Sequence, residues 1–256
     1  MNMKILLSFD LEEFDVLADF SIEKQLEQTN QGLLKLIKML DKNKIKVTFF
    51  VTHLFVKHHP NIVKALARKG HEIACHGFHS DNYLDIKKIE KLGKAKKELE
   101  ELGIKVKGFR APRFQIRKVS MLKKFGFEYD SSLHPTLMPG RYMNLFKKRK
   151  IHNLGGVVEI PPSVLPFLRF PIAWFAFKNF GPLYPKIFTK LNSLFSNYTL
   201  LVFHLWEFSD LRSFKLSIVI KRKNGEELLK MLENYIVFCK NQGYKFETIS
   251  KYLKLS

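Results

Sequence analysis

Cysteine is almost missing from this sequence. Cys75 and Cys239 are the only two; they lie far apart and suggest no disulfide framework, so a reducing compartment is expected. Acidic residues are also scarce: 24 Asp and Glu stand against 44 Lys and Arg, a formal net charge of +20. That imbalance favours polyanions as partners, whether nucleic acid, anionic lipid or acidic glycan, unless it is only solvated surface. Zinc-finger spacing and an RNA-binding aromatic signature are both absent, and the basic residues are dispersed, so nucleic acid is not the expected partner. No apolar run is long enough to span a membrane unbroken; the nearest, residues 160–180, is interrupted by prolines and Arg169. The first residues show no secretory pattern, because their apolar run is short and ends in Asp10. The expected location is cytoplasmic, with peripheral contact at the inner face of the membrane as an extension. Internal repeats and low-complexity tracts are missing too. So is a glycine-rich phosphate loop after the first apolar run, which weakens a nucleotide-binding reading.

What is present reads as globular: 256 residues, 46% hydrophobic and 27% charged. Short apolar or β-branched runs at 4–9, 46–51, 72–75, 106–110, 127–131, 200–205 and 245–249 predict strands. Amphipathic stretches at 21–40, 86–102, 119–125 and 226–241 predict helices, as does a segment opened by Pro60 and closed near Gly70. Strands alternating with helices imply parallel pairing through crossovers. A closed or nearly closed βα barrel is the favoured arrangement, with an open doubly wound sheet as the main rival. Residues 139–197 break the alternation and read as an aromatic and basic elaboration on a single domain covering 1–256.

In a parallel barrel, chemistry collects where the strands end at their C-terminal face. Asp10, Glu12 and Glu13 follow the first strand, and His76 and His79 the third. Arg110, Pro112 and Arg113 follow the fourth, then come Asp130, Ser131 and Ser132, and finally His204, Trp206 and Glu207. Singly each has a bland explanation: a helix N-cap, a loop histidine, a satisfied core histidine. Two histidines with carboxylates at one mouth is nevertheless a metal-site composition, suited to zinc and similar divalent ions. Such an ion could acidify a bound water, with a further carboxylate as base and a further histidine as acid.

The same residues match a known family. Ser8-Phe9-Asp10-Leu11-Glu12-Glu13-Phe14 resembles the first motif of polysaccharide deacetylases with the NodB-like domain, the carbohydrate esterase family four type. The likeness is to the branch with an Asp-x-Glu-Glu run. Val47-Thr48-Phe49-Phe50-Val51 is similar to that family's second strand. Gly70-His71-Glu72-Ile73-Ala74-Cys75-His76-Gly77-Phe78-His79-Ser80 is similar to its metal-binding motif. Gly108-Phe109-Arg110-Ala111-Pro112-Arg113, Tyr129-Asp130-Ser131-Ser132 and Val202-Phe203-His204-Leu205-Trp206-Glu207-Phe208 follow in family order.

The resemblance implies a distorted (β/α)7 barrel. It implies Asp10 as catalytic base, His76 and His79 as metal ligands, Arg110 holding Asp10 ionised, and His204 protonating the leaving amine. The metal, zinc first with cobalt or nickel as alternatives, would stabilise the oxyanion. Strand alternation puts Glu12 on the side of Asp10 and favours it as third ligand, with Glu13 as rival. Pro112, Arg113, Asp130, Ser131, Trp206 and Glu207 are the expected substrate contacts. One departure stands out: the second histidine falls at i+3, and Ser80 holds the i+4 position of the family pattern.

The expected function is removal of an acyl group, acetyl by preference, from an N-acylated amino sugar or glycan, lipid-linked or not, in surface-polysaccharide or lipopolysaccharide synthesis. Two alternatives keep the same fold: hydrolysis of another non-peptide C–N bond at the same site, or a catalytically weak carbohydrate-binding relative. The run 166–178, apolar and aromatic with Arg169 and Lys178, is either a buried cap or a patch for an anionic membrane.

Overall fold

The computed structural model describes residues 3–17, 20–138, 142–172 and 174–255. Its centre is strand β1, Lys4–Leu11, buried at every position after Lys4. A parallel strand covered on both faces reads as a continuous apolar run, which is why this segment shows no clean alternation. On one side β1 pairs with β2 (Thr48–Val51), which pairs with β3 (Glu72–Cys75). The ladder continues through β4 (Gly108–Phe109) and β5 (Tyr129–Asp130) to β6 (Val158–Glu159). On its other side β1 pairs with β7 (Tyr198–His204), and its start also meets β8 (Lys245–Phe246).

The order β7-β1-β2-β3-β4-β5-β6 is parallel throughout and gives the expected distorted (β/α)7 architecture. The sheet curls but stays partly open. Just beyond β6, Ser163 bonds to β7 twice: its N–H donates to Leu200 O at 3.0 Å, and its hydroxyl accepts from Leu200 N at 2.9 Å. These bonds draw the two ends of the parallel run together without forming a ladder, while β6 also pairs antiparallel with His152–Asn153.

Three expectations are adjusted. The helix read over 86–102 is two, Ile86–Glu90 and Leu92–Glu100, split at Lys91. The segment Val119–Phe125 is a 3₁₀ helix rather than an α-helix. The elaboration at 139–197 contains a barrel strand, β6, together with helices Trp174–Asn179 and Leu183–Ser193.

The long helix Ile22–Lys42 starts where the Ser21 hydroxyl accepts from Lys24 N. It crosses the turn Leu205–Phe208 at Gly32, where a Cβ would stand 1.9 Å from Leu205 O. Only glycine permits that approach, and it fixes the turn that follows His204. Cys75 and Cys239 are free and buried, and burial pushes both thiols up to about 12.

Candidate functional site

Parallel register aligns the strand ends. Asp10 sits beside His204 of β7, Cys75 beside Phe109, and Phe109 beside Asp130, which in turn faces Glu159. The residues just past these pairs therefore converge on one mouth.

Arg110 is the structural centre of that mouth and is completely buried. Its Nη1 donates to Asp10 Oδ1 at 2.8 Å, its Nη2 to Ser131 Oγ at 3.1 Å, and its Nε to Ser131 O at 3.3 Å. Its guanidinium carbon lies 3.9 Å from the centre of the Phe50 ring. Burial alone would raise the Asp10 carboxyl; Arg110, His76 and His204 outweigh it and hold the group below its usual range.

His76 Nε2 lies 3.2 Å from Glu12 Oε2 and 3.9 Å from Asp10 Oδ2. Its Nδ1 donates to Arg110 O at 2.8 Å. Burial would lower this imidazole, but Asp10 and Glu12 together move it up. Burial raises the Glu12 carboxyl in spite of His76. Of the two glutamates it is Glu12 that faces His76, as strand alternation predicts. Glu13 is turned to the loop, accepting from Ser80 N at 2.6 Å and from Thr52 Oγ1 at 3.3 Å.

His204 is clamped. Its ring stacks on Trp206 at 5.0 Å and meets Trp174 edge-on at 5.4 Å, while Phe14 stacks on the far side of Trp206 at 4.4 Å. Nε2 is 3.7 Å from Glu12 Oε1, and Nδ1 is 3.5 Å from Glu207 Oε2. Burial would lower this histidine; Glu207 and Glu12 raise it instead. Glu207, fully buried, also accepts from His204 N at 3.0 Å and faces Lys178 Nζ at 3.3 Å. Lys178 was not singled out among the strand-end residues. Its sequence setting, an aromatic run, gives no sign of a buried cation.

The other expected substrate contacts are placed differently from one another. Asp130, Ser131 and Glu207 have no exposed surface and sit beneath the mouth, where they hold other groups. Pro112 and Trp206 are buried. Arg113 reaches outward to Asp15, Nη2 to Oδ2 at 2.5 Å. Arg113 and Phe114 both have left-handed backbone (φ 57° and 56°), a strained turn that sets the Phe114 ring 5.6 Å from the Arg110 guanidinium.

Below the mouth, Asp130 and Glu159 form a buried carboxyl pair that the sequence did not announce. Ser132 donates to both Asp130 oxygens through N and Oγ, and Leu133 N donates to Glu159 Oε1. Burial raises both carboxyls, Glu159 well above its ordinary value of 4.5 with Asp130 adding to the rise. The pair therefore keeps protons in the folded state that it loses when unfolded. Folding stability contributed here is full below the ordinary carboxylate range and falls as pH climbs toward the raised native value, by up to about 1.4 kcal/mol per pH unit for each proton retained. Glu159→Gln keeps an acceptor for Leu133 and gains a donor for Asp130. It is expected to flatten that decline, read as denaturant midpoints at about pH 5 and pH 8. An unchanged pH slope would show that the retained protons do not contribute to stability.

The metal centre expected from the sequence does not assemble. The chain turns at Gly77 (φ 81°), Phe78 N donates to Tyr83 Oη at 2.8 Å, and the Ser80 amide is held by Glu13. This loop carries His79 outward: its side chain is 60% exposed, with Nδ1 3.9 Å from Glu13 Oε1 rather than beside His76. Glu12 and His76 are engaged with each other, Asp10 with Arg110, and His204 with Glu207. Among the described residues, no group of three His, Cys, Asp or Glu side chains is arranged to hold a metal ion. The expected set of Glu12, His76 and His79, the zinc, cobalt or nickel ion it was to bind, and the metal-dependent acyl hydrolase built on it are corrected accordingly.

A curled parallel sheet with this order and this ring of strand-end residues defines the carbohydrate-esterase type of α/β fold. The sequence profile of the polysaccharide deacetylase family matches residues 7–129, and over those residues the chain belongs to that family. The uncharacterised protein YlxY of Bacillus subtilis is 34% identical over 96 residues, 35% of this chain and 29% of its own. The chain spans about a third of the length of the curated relatives it matches. Solved structures with the same fold include a Mycobacterium smegmatis protein assigned to the polysaccharide deacetylases (TM-score 0.68, 20% identity, 99% of this chain and 89% of that one). Another is BA3943, a CE4 family pseudoenzyme of Bacillus anthracis (TM-score 0.59, 15% identity, 98% and 65%). A mutant of BA3943 has restored enzymatic activity.

Proposed function

We propose that the chain is a catalytically weak, carbohydrate-binding member of its family, with a preference for acidic glycans. One observation carries the reading: the loop that should deliver the second histidine turns it out to solvent, while the rest of the mouth keeps its ordered polar framework. Family membership supports a glycan-type ligand, and a fold neighbour that is itself a pseudoenzyme gives a parallel for the lost activity.

The acidic preference follows from a groove of about 760 Å³ that begins at Phe114, the ring lying against Arg110. Tyr142 and Phe146 provide further aromatic surface in it, and Arg117, Lys118 and Lys147 give it positive charge. Aromatic faces stack on the apolar side of sugar rings, and clustered cations attract uronate or phosphate groups.

Calorimetric titration with hexuronate-containing and neutral N-acetylhexosamine oligomers tests this. Acidic oligomers are expected to bind, more weakly as ionic strength rises, with acetate release from the N-acetylated ones indistinguishable from the blank. Turnover at about 1 s⁻¹ or faster, the lower range of ordinary enzymes, would overturn the reading, as would failure of every glycan to bind.

A further inference from the structure

The chain between the buried carboxyl pair and Glu207 is chemically one-sided. From Ser131 to Trp206 it holds nine Lys and Arg residues and a single carboxylate, Glu159, and that one is fully buried. Among the described residues, the same stretch contains most of the exposed large apolar side chains.

The helix Leu183–Ser193 shows this best. It buries Pro185, Phe188, Thr189 and Asn192 against the barrel. Its opposite face is also apolar: Leu183, Ile187 and Leu191, with Leu194 just past the end, are 65%, 56%, 44% and 74% exposed. Spacings of four, four and three residues place them in one stripe. A surface helix in water normally turns a polar face outward, so a second apolar stripe marks an interaction surface.

The stripe extends beyond the helix. Phe195 meets Phe167 edge-on at 5.9 Å, joining it to a loop where Phe167 and Leu168 are 86% and 69% exposed and Phe170 half-exposed. That loop is built rather than loose. Leu165 N donates to Phe170 O at 2.8 Å and Arg169 N to Leu165 O at 3.0 Å, with Phe167 and Arg169 held in left-handed backbone. Basic groups rim the patch. Arg149 and Lys150 share a cavity wall with Leu194 and Phe195, Arg169 reaches Lys147 O at 3.1 Å, and Lys186 and Lys190 lie on the same helix to one side of the stripe, their ammoniums 5.6 and 5.7 Å from the centre of the Phe238 ring.

We propose that this face docks on an anionic lipid bilayer, with the stripe and the Phe167 loop entering the boundary between headgroups and acyl chains and the basic rim facing lipid phosphates. Charge decides the occupant. A second copy would bring an identical positive rim against the first, whereas an anionic membrane accepts both the cations and the apolar side chains. The inference is independent of the glycan reading, since the groove and the stripe share no argument.

Flotation with vesicles of phosphatidylcholine alone, or with about one third phosphatidylglycerol, tests it on the full chain. The wild type should float with the anionic vesicles and not with the neutral ones. Leu183→Ser/Ile187→Ser/Leu191→Ser should bind the anionic vesicles at least about tenfold more weakly, with unfolding midpoint and glycan affinity unchanged. The proposal is overturned if the triple variant floats like the wild type, because charge alone would then explain binding. It is also overturned if the wild type binds neither vesicle, including the case in which it sediments as a dimer that the triple variant dissolves.

Discussion

Ser80→His is expected to give the chain a metal site, where none is arranged among the described residues. Ser80 stands at i+4 from His76, the position the family pattern reserves for a ligand, and it is buried, with its amide held by Glu13. His79 has the right chemistry but is turned outward, and Ser80 has the right spacing and burial with the wrong chemistry. Zinc affinity, measured by calorimetry and by metal content after dialysis, should rise at least about 100-fold, since a direct ligand outweighs the 10–100-fold effect typical of its outer partners. His79→Ala should change nothing in the same assay. Stoichiometric zinc in the wild type, or no gain in Ser80→His, would show that the loop had been misread.

Lys178→Met should cost about 3–5 kcal/mol of folding stability, the usual penalty for leaving one member of a buried ion pair alone. Lys178 and Glu207 are both fully buried and 3.3 Å apart. Burial would raise the Glu207 carboxyl; Lys178 and His204 keep it low. The ammonium also donates to Ile220 O at 2.7 Å and to Asn224 Oδ1 at 2.8 Å, tying down the segment that leads to the helix Glu226–Asn241. Much of the penalty is the stranded charge, so Lys178→Met/Glu207→Gln should recover most of it. Denaturant melts of the two single variants and the double variant give the coupling directly. A loss under about 1 kcal/mol in Lys178→Met, the scale of an exposed pair, would mean that the buried pair is far weaker than its burial implies.

How much of this was legible depends on the length of the signal. The longer strands could be read because β1, β2, β3 and β7 carry mostly apolar runs, and their ends gave the polar ring in the right order. Glu12 could be chosen over Glu13 because a strand alternates, and alternation held to the last residue needed. β6 was invisible: two ladder residues lie between Gly155-Gly156 and Pro161-Pro162, and so short a strand leaves no period to detect. Its Glu159 was lost with it. Lys178 was hidden for a different reason, since its partner is 29 residues away in sequence and pairing at that range leaves no local trace. His79 misled because the backbone at Gly77 takes a left-handed turn, and a glycine's choice between left and right is made by the neighbours it packs on, here Tyr83.

The two buried thiols give the protein a practical property. Neither Cys75 nor Cys239 presents a thiolate to solvent in the folded chain, so alkylating reagents should ignore the native protein and modify it only as it opens. A cysteine introduced at Ile187 or Phe167 would then be the sole reactive handle. A probe attached there could report how deeply that face sinks into a vesicle, with no need to edit the native sequence elsewhere.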